Sequence, residues 1–152
     1  MARGNIQGQQ RANGFQLSRF YGEDPLTELA ILLAGASLGI IVFQSAVLAP
    51  LVFSQLKDGG SGPFLRALFP RFFLILAGLS LSTALSSYFG DFSRGVILGC
   101  IALALALVAY VLIPSTNRAR DEGRTTTFKC LHLASVLLTL GIGITNLLTV
   151  FS

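Results

Sequence analysis

The sequence predicts an all-α integral membrane protein: a four-transmembrane-helix bundle preceded by a polar N-terminal tail. Three observations predict it. Of 152 residues, 53% are apolar and only 12% are charged, against ~25% charged in an ordinary soluble domain. The mean hydropathy is +0.71. The charged residues leave four charge-free stretches, 29–56, 72–90, 95–117 and 130–152, each matching the roughly 20 apolar residues that cross a hydrocarbon core. So few charges cannot cover so much apolar surface in water, which excludes a soluble enzyme, a disordered chain and a disulfide-stapled secreted module. Helices rather than barrel strands are expected, because Ile97–Val111 is continuously apolar instead of alternating.

Residues 1–28 form the polar tail, with Arg3, Arg11 and Arg19 and no acid before Glu23. The tail lacks an apolar core of the kind a secretory signal carries. Organelle targeting, a flexible tail and a segment docked on a neighbour all fit this composition.

The transmembrane domain is expected over 29–152, with helices at about 29–56, 72–90, 95–117 and 130–151. Pro50 falls inside the first and Pro114 near the end of the third, where each removes one backbone hydrogen bond and predicts a kink. The second helix is expected to begin just after Leu68-Phe69-Pro70, since a first turn needs no amide donor. Gly35 and Gly39 in the first helix, and Gly95 and Gly99 in the third, have the spacing that lets two backbones approach closely in lipid. Packing within the four-helix unit and contact with another chain both use this spacing.

Lys57, Arg66 and Arg71 in loop 57–71, with Arg118, Arg120, Arg124 and Lys129 in loop 118–129, outweigh Arg94 and the three tail arginines. That bias predicts both loops on the cytoplasmic or equivalent side and both termini opposite. The bilayer is the first partner, and the loops suit anionic lipid headgroups. Nucleic acid is not indicated, because the basic residues are spread across separate loops.

In the fourth helix His132, Ser135, Thr139, Gly143 and Asn146 trace one stripe. Ser37 and Gln44 share a face of the first helix, and Ser80, Thr83 and Ser87 a face of the second. Polar residues in spans face protein or a wet cavity, so these stripes read as interhelical hydrogen bonds or as a polar conduit. No catalytic set is recognisable: no paired carboxylates, no phosphate-binding loop, no nucleophile elbow. His132 is the single histidine, which excludes two-histidine haem ligation and leaves it a weak candidate for a pigment or haem ligand. Cys100 and Cys130 approach opposite membrane faces, roughly 25 Å apart in depth, too far for a disulfide or a shared metal. Neither a cofactor nor a metal is expected.

Several motifs together suggest kinship. Phe43-Gln44-Ser45, Pro50, Phe53, Leu68-Phe69-Pro70, Phe72-Phe73, Pro114, Asn117, Arg120-Asp121, Gly123, Phe128, Leu131-His132 and Ser135-Val136 resemble, in that order, the small four-helix membrane family of transmembrane protein 205 and its bacterial relatives of unknown function. The resemblance covers about residues 29–150. Two positions depart from it: Phe72 stands where the family tends to have tyrosine, and Thr139 where it tends to have asparagine. It implies a membrane location, without a settled activity, and marks Gln44, Pro50, Pro70, Asn117, Arg120, Asp121, His132 and Ser135. Of these, Gln44, Asn117, Arg120, Asp121, His132 and Ser135 form the expected polar cluster near one membrane face.

Three functions are open on the sequence. The leading one is a non-enzymatic accessory or scaffolding subunit that docks to other membrane-protein subunits through its small-residue faces and its tail. The alternative is a transporter-like protein for small solutes, metals or drugs, using a polar face between the first and fourth helices. The third is a pigment- or lipid-binding subunit.

Overall fold

A computed structural model describes residues 24–55 and 60–152. It contains α1 (Pro25–Phe43), a π-helical turn (Gln44–Leu48), α2 (Ala49–Gln55), α3 (Ser61–Phe89), α4 (Ser93–Asp121) and α5 (Thr125–Val150). Four helical segments, Pro25–Gln55, α3, α4 and α5, are each long and apolar enough to cross a membrane. The chain is an all-α, multi-pass membrane protein with a four-helix bundle. The tail reading falls mainly on residues 1–23, outside the described residues, as does Lys57.

Helix α1 starts at Pro25, within the stretch assigned above to the tail. Asp24 caps it, its side-chain oxygen accepting from the Leu26 amide at 3.0 Å. Proline at the first position and Glu28 in the first turn suit a helix N-terminus. The charge gap missed this start because capping residues are themselves charged.

Pro50 is preceded by the π-helical turn, in which the Ala49 amide bonds back to the Gln44 carbonyl. Pro50 has no amide to offer Ala46, and its ring crowds that carbonyl. The wider turn just before it accommodates both defects. Past this turn, α2 approaches mainly the turn itself, with Val52 as its buried residue.

Helix α3 begins at Ser61 rather than after Pro70, and Pro70 lies inside it. The expected boundary treated Pro70 as a first-turn residue, but the helix runs through, forgoing only the bond to the Arg66 carbonyl. Spans tolerate such a proline where neighbouring groups support the backbone. An aromatic cluster flanks it in the same helix: Phe72 and Phe73 meet edge-on at 5.1 Å, and Phe69 and Phe73 lie at 6.4 Å. Pro114 likewise lies inside a continuous α4, with Thr116 bonded back to the Leu112 carbonyl at 2.9 Å.

Two tight turns join the later helices. Gly123, at φ +66°, ends α4: its amide bonds the Arg120 carbonyl at 3.2 Å and the Arg124 amide bonds Ala119 at 2.9 Å. This paired closure satisfies the last carbonyls and needs a left-handed residue, which glycine adopts without steric cost. Asp91, at φ 52°, occupies the equivalent place after α3, where the Phe92 amide bonds Ser87 at 2.8 Å.

Helix α1 packs on α3 and α5, and α4 packs on the same two, so the spans form a ring with α1 and α4 diagonal. The core joins Ile41, Phe72, Phe73, Leu76 and Ile142 to Ala102, Ala106 and Ala109 of α4. Those alanines bring the α4 backbone close to its neighbours. Large apolar side chains such as Leu32, Phe53, Leu74, Val111 and Leu137 lie on the outside, where lipid replaces water as the solvent.

Candidate functional site

Where the start of α3 and the α4–α5 turn meet, the bundle ends in a cluster of arginines. Arg66 of α3 makes a two-pronged ion pair with Asp121 of α4, with Nη1 donating to Oδ2 at 3.1 Å. Glu122 serves two others, Arg124 at 2.6 Å and Arg118 at 3.8 Å. Arg120 is placed differently. Successive helix residues point about 100° apart, so Arg120 turns from Asp121 toward the start of α3. There its guanidinium packs on buried Gly62, where a Cβ would stand 3.7 Å from Nη2. It also lies 6.0 Å from the ring centroid of Phe128, which stacks on His132 at 5.9 Å. An open recess of about 430 Å³ remains, lined by Gly62, Pro63, Arg66 and Arg120.

Of the expected polar cluster, Asp121 pairs with Arg66, while Arg120 lies near Phe128, which stacks on His132 one turn further along α5. Asn117 lies half-buried one turn before Asp121. Gln44 opens the π-helical turn and is only 7% exposed. Ser135 donates to the Leu131 carbonyl of its own helix at 3.1 Å, and the His132 ring is exposed. The sequence reading left out Gly62, Arg66 and Phe128 as members of this cluster. Arg66 looked like a loop residue because α3 was expected to start after Pro70.

The stripes inside the membrane are largely self-contained. Asn146 donates to Ser37 Oγ at 3.1 Å, a buried bond joining α5 to α1. The hydroxyls of Thr83, Thr139, Thr145 and Thr149 instead donate to carbonyls of their own helices. A helical threonine needs no neighbour for this bond, which is why a polar stripe need not imply a partner. Ser80 Oγ and Ser87 Oγ are buried without a hydrogen-bond partner among the described residues.

The two glycine pairs differ. At Gly99 a Cβ would lie 2.9 Å from the Ala84 amide, and at Gly95 it would collide with Ser87 and Phe92, so both pack tightly on α3 or its turn. At Gly35 the nearest atom is 4.0 Å away, on Val150, and Gly39 has open space around it. Gly78 of α3 is also exposed with open space, one turn from exposed Ser82. Cys100 and Cys130 are free and exposed.

The family described as "Domain of unknown function (DUF4149)" matches over residues 32–125, more than half of the chain. The match runs from α1 to the start of α5 and omits His132, Ser135 and Asn146. No curated protein and no solved structure matches the chain. The motif likeness to transmembrane protein 205 is a finer statement than the family match and stays a resemblance. On that match, which overlies the first three of its four spans, the chain belongs to the DUF4149 family, here a small α-helical membrane domain.

Proposed function

We propose that this protein is a non-enzymatic accessory subunit that docks against transmembrane helices of another chain. The observation that carries this reading is the pair of outward glycines, Gly39 on α1 and Gly78 on α3, each with open space where a Cβ would stand. Lipid tails provide no hydrophobic drive for helix association, so close backbone approach over small residues is what holds spans together. Gly95 and Gly99 are consumed inside the bundle; Gly39, Gly78 and Ser82 are left for a neighbour. Val47 of the π-helical turn and Leu51 and Phe53 of α2 are exposed as well. In this reading the basic end of the bundle lies on the cytoplasmic side and both termini lie opposite, following the excess of arginine at that end.

The test is the mass and composition of the particle extracted from its native membrane in gentle detergent. Other membrane chains should accompany this one. Gly39→Leu and Gly78→Leu should release them while the helical signal is retained. A lone monomer, or a particle holding only copies of this chain, would sink the accessory role.

A further inference from the structure

The recess at the basic end plays no part in docking through α1 and α3. Its polar side chains, those of Arg66 and Arg120, are donors without acceptors. Asp121 satisfies Arg66 from one side. Among the described residues Arg120 has contacts to Gly62 and Phe128 rather than to a carboxylate. The guanidinium packs on the Gly62 backbone on one side and stands 6.0 Å from the Phe128 ring on the other, leaving its N–H groups exposed at the recess. Gly62 matters by what it lacks: a larger side chain would extend toward Arg120 and narrow the opening of about 430 Å³. The recess sits at the water-facing end of α3 and α4, where the headgroup layer of a bilayer lies. A ligand that suits it carries negative charge and several acceptor oxygens in a compact group, which is the chemistry of a phosphate.

We propose that the recess between the start of α3 and the end of α4 binds the phosphate of an anionic phospholipid headgroup, with Arg120 as the principal contact and Arg66 alongside. Arg120 presents its fork to the phosphate oxygens. Arg66, held by Asp121, forms the opposite wall. Arg118 and Arg124, shared by Glu122, belong to the general positive field of this end and not to the site.

The experiment uses the full chain in neutral detergent, with bound lipid counted by native mass spectrometry in mixtures of phosphatidylglycerol and phosphatidylcholine. The wild-type protein should retain phosphatidylglycerol about tenfold over phosphatidylcholine, whose phosphate is the same but whose choline cation is repelled by the two arginines and competes with them for that phosphate. Arg120→Ala should reduce that preference to within about twofold of none, and Arg118→Ala should leave it unchanged. Gly62→Leu keeps every charge but crowds the Arg120 guanidinium, so it should also reduce the preference, with circular dichroism confirming that both variants fold. A final arm adds inorganic phosphate: displacement of the lipid identifies a site open to soluble phosphate anions, and retention identifies the lipid as the source. No preference in the wild-type protein would overturn the proposal. Equal losses in Arg118→Ala and Arg120→Ala, or full retention in both Arg120→Ala and Gly62→Leu, would overturn it too.

Discussion

Replacing Gly99 by alanine puts a methyl group into the interface of α3 and α4. The new Cβ would stand 2.9 Å from the Ala84 amide nitrogen and 3.0 Å from its Cα and Cβ. Carbon atoms in ordinary contact sit at about 3.5–4.0 Å, so the helices must separate by roughly half an ångström or more. Two of the three atoms met are backbone, which cannot rotate aside. Overpacking of this kind costs about 1–3 kcal/mol, and alanine returns up to about 1 kcal/mol of helix propensity. The net expectation is a loss of about 1–2 kcal/mol, or a factor of about 5–30 in the folded-to-unfolded ratio. Gly39→Ala is the internal control, since its Cβ meets nothing within 4 Å, and it should be neutral or slightly stabilising. The chain has no tryptophan, so unfolding in mixed micelles of denaturing and mild detergent is best followed by far-ultraviolet circular dichroism. Equal stabilities of Gly99→Ala and wild type would refute the reasoning, as would a loss at Gly39 as large as that at Gly99.

Three further outcomes are expected. A double-mutant cycle of Ser37→Ala and Asn146→Ala, read by the same unfolding assay, should give a coupling of about 0.6–1.7 kcal/mol, the range for interhelical hydrogen bonds in membranes; a coupling near zero would mean the bond between them is not made. Arg66 and Asp121 are 42% and 53% exposed, so Arg66→Ala should cost no more than about 1 kcal/mol, and the cost should shrink in high salt. In a Cys100→Ser background, Cys130, beside Lys129 at the basic end, should react with a membrane-impermeant maleimide only after cells are permeabilised; labelling of intact cells would reverse the proposed orientation.

The four spans were legible because a span is a local property of the chain. Gaps between charged residues locate it, and the bilayer's thickness sets its length. The ends were less legible. Proline marks the first turn of α1 at Pro25, yet Pro70 lies inside α3, and the two cases look alike until the packing of Phe69, Phe72 and Phe73 is known. The basic end shows the same division. Arg120 and Asp121 could be singled out in the sequence, but Arg66 could not be joined to them while it was taken for a loop residue. Neither could the sequence show that Asp121 serves Arg66 and leaves its neighbour Arg120 to Gly62 and Phe128.

Composition and charge spacing were enough to establish a membrane protein, its four crossings and the gathering of arginine at one end. These depend on the cost of placing a charge in hydrocarbon, which every charged residue incurs wherever the other helices lie. Which glycine pair is packed and which is open was decided by the tertiary structure, as was the choice of Ser37 as the partner of Asn146. The physical reason is that a span is apolar all round, so hydrophobicity fixes its depth but not its rotation about its own axis. Rotation is set by close packing between backbones, and that exists only once the helices have met.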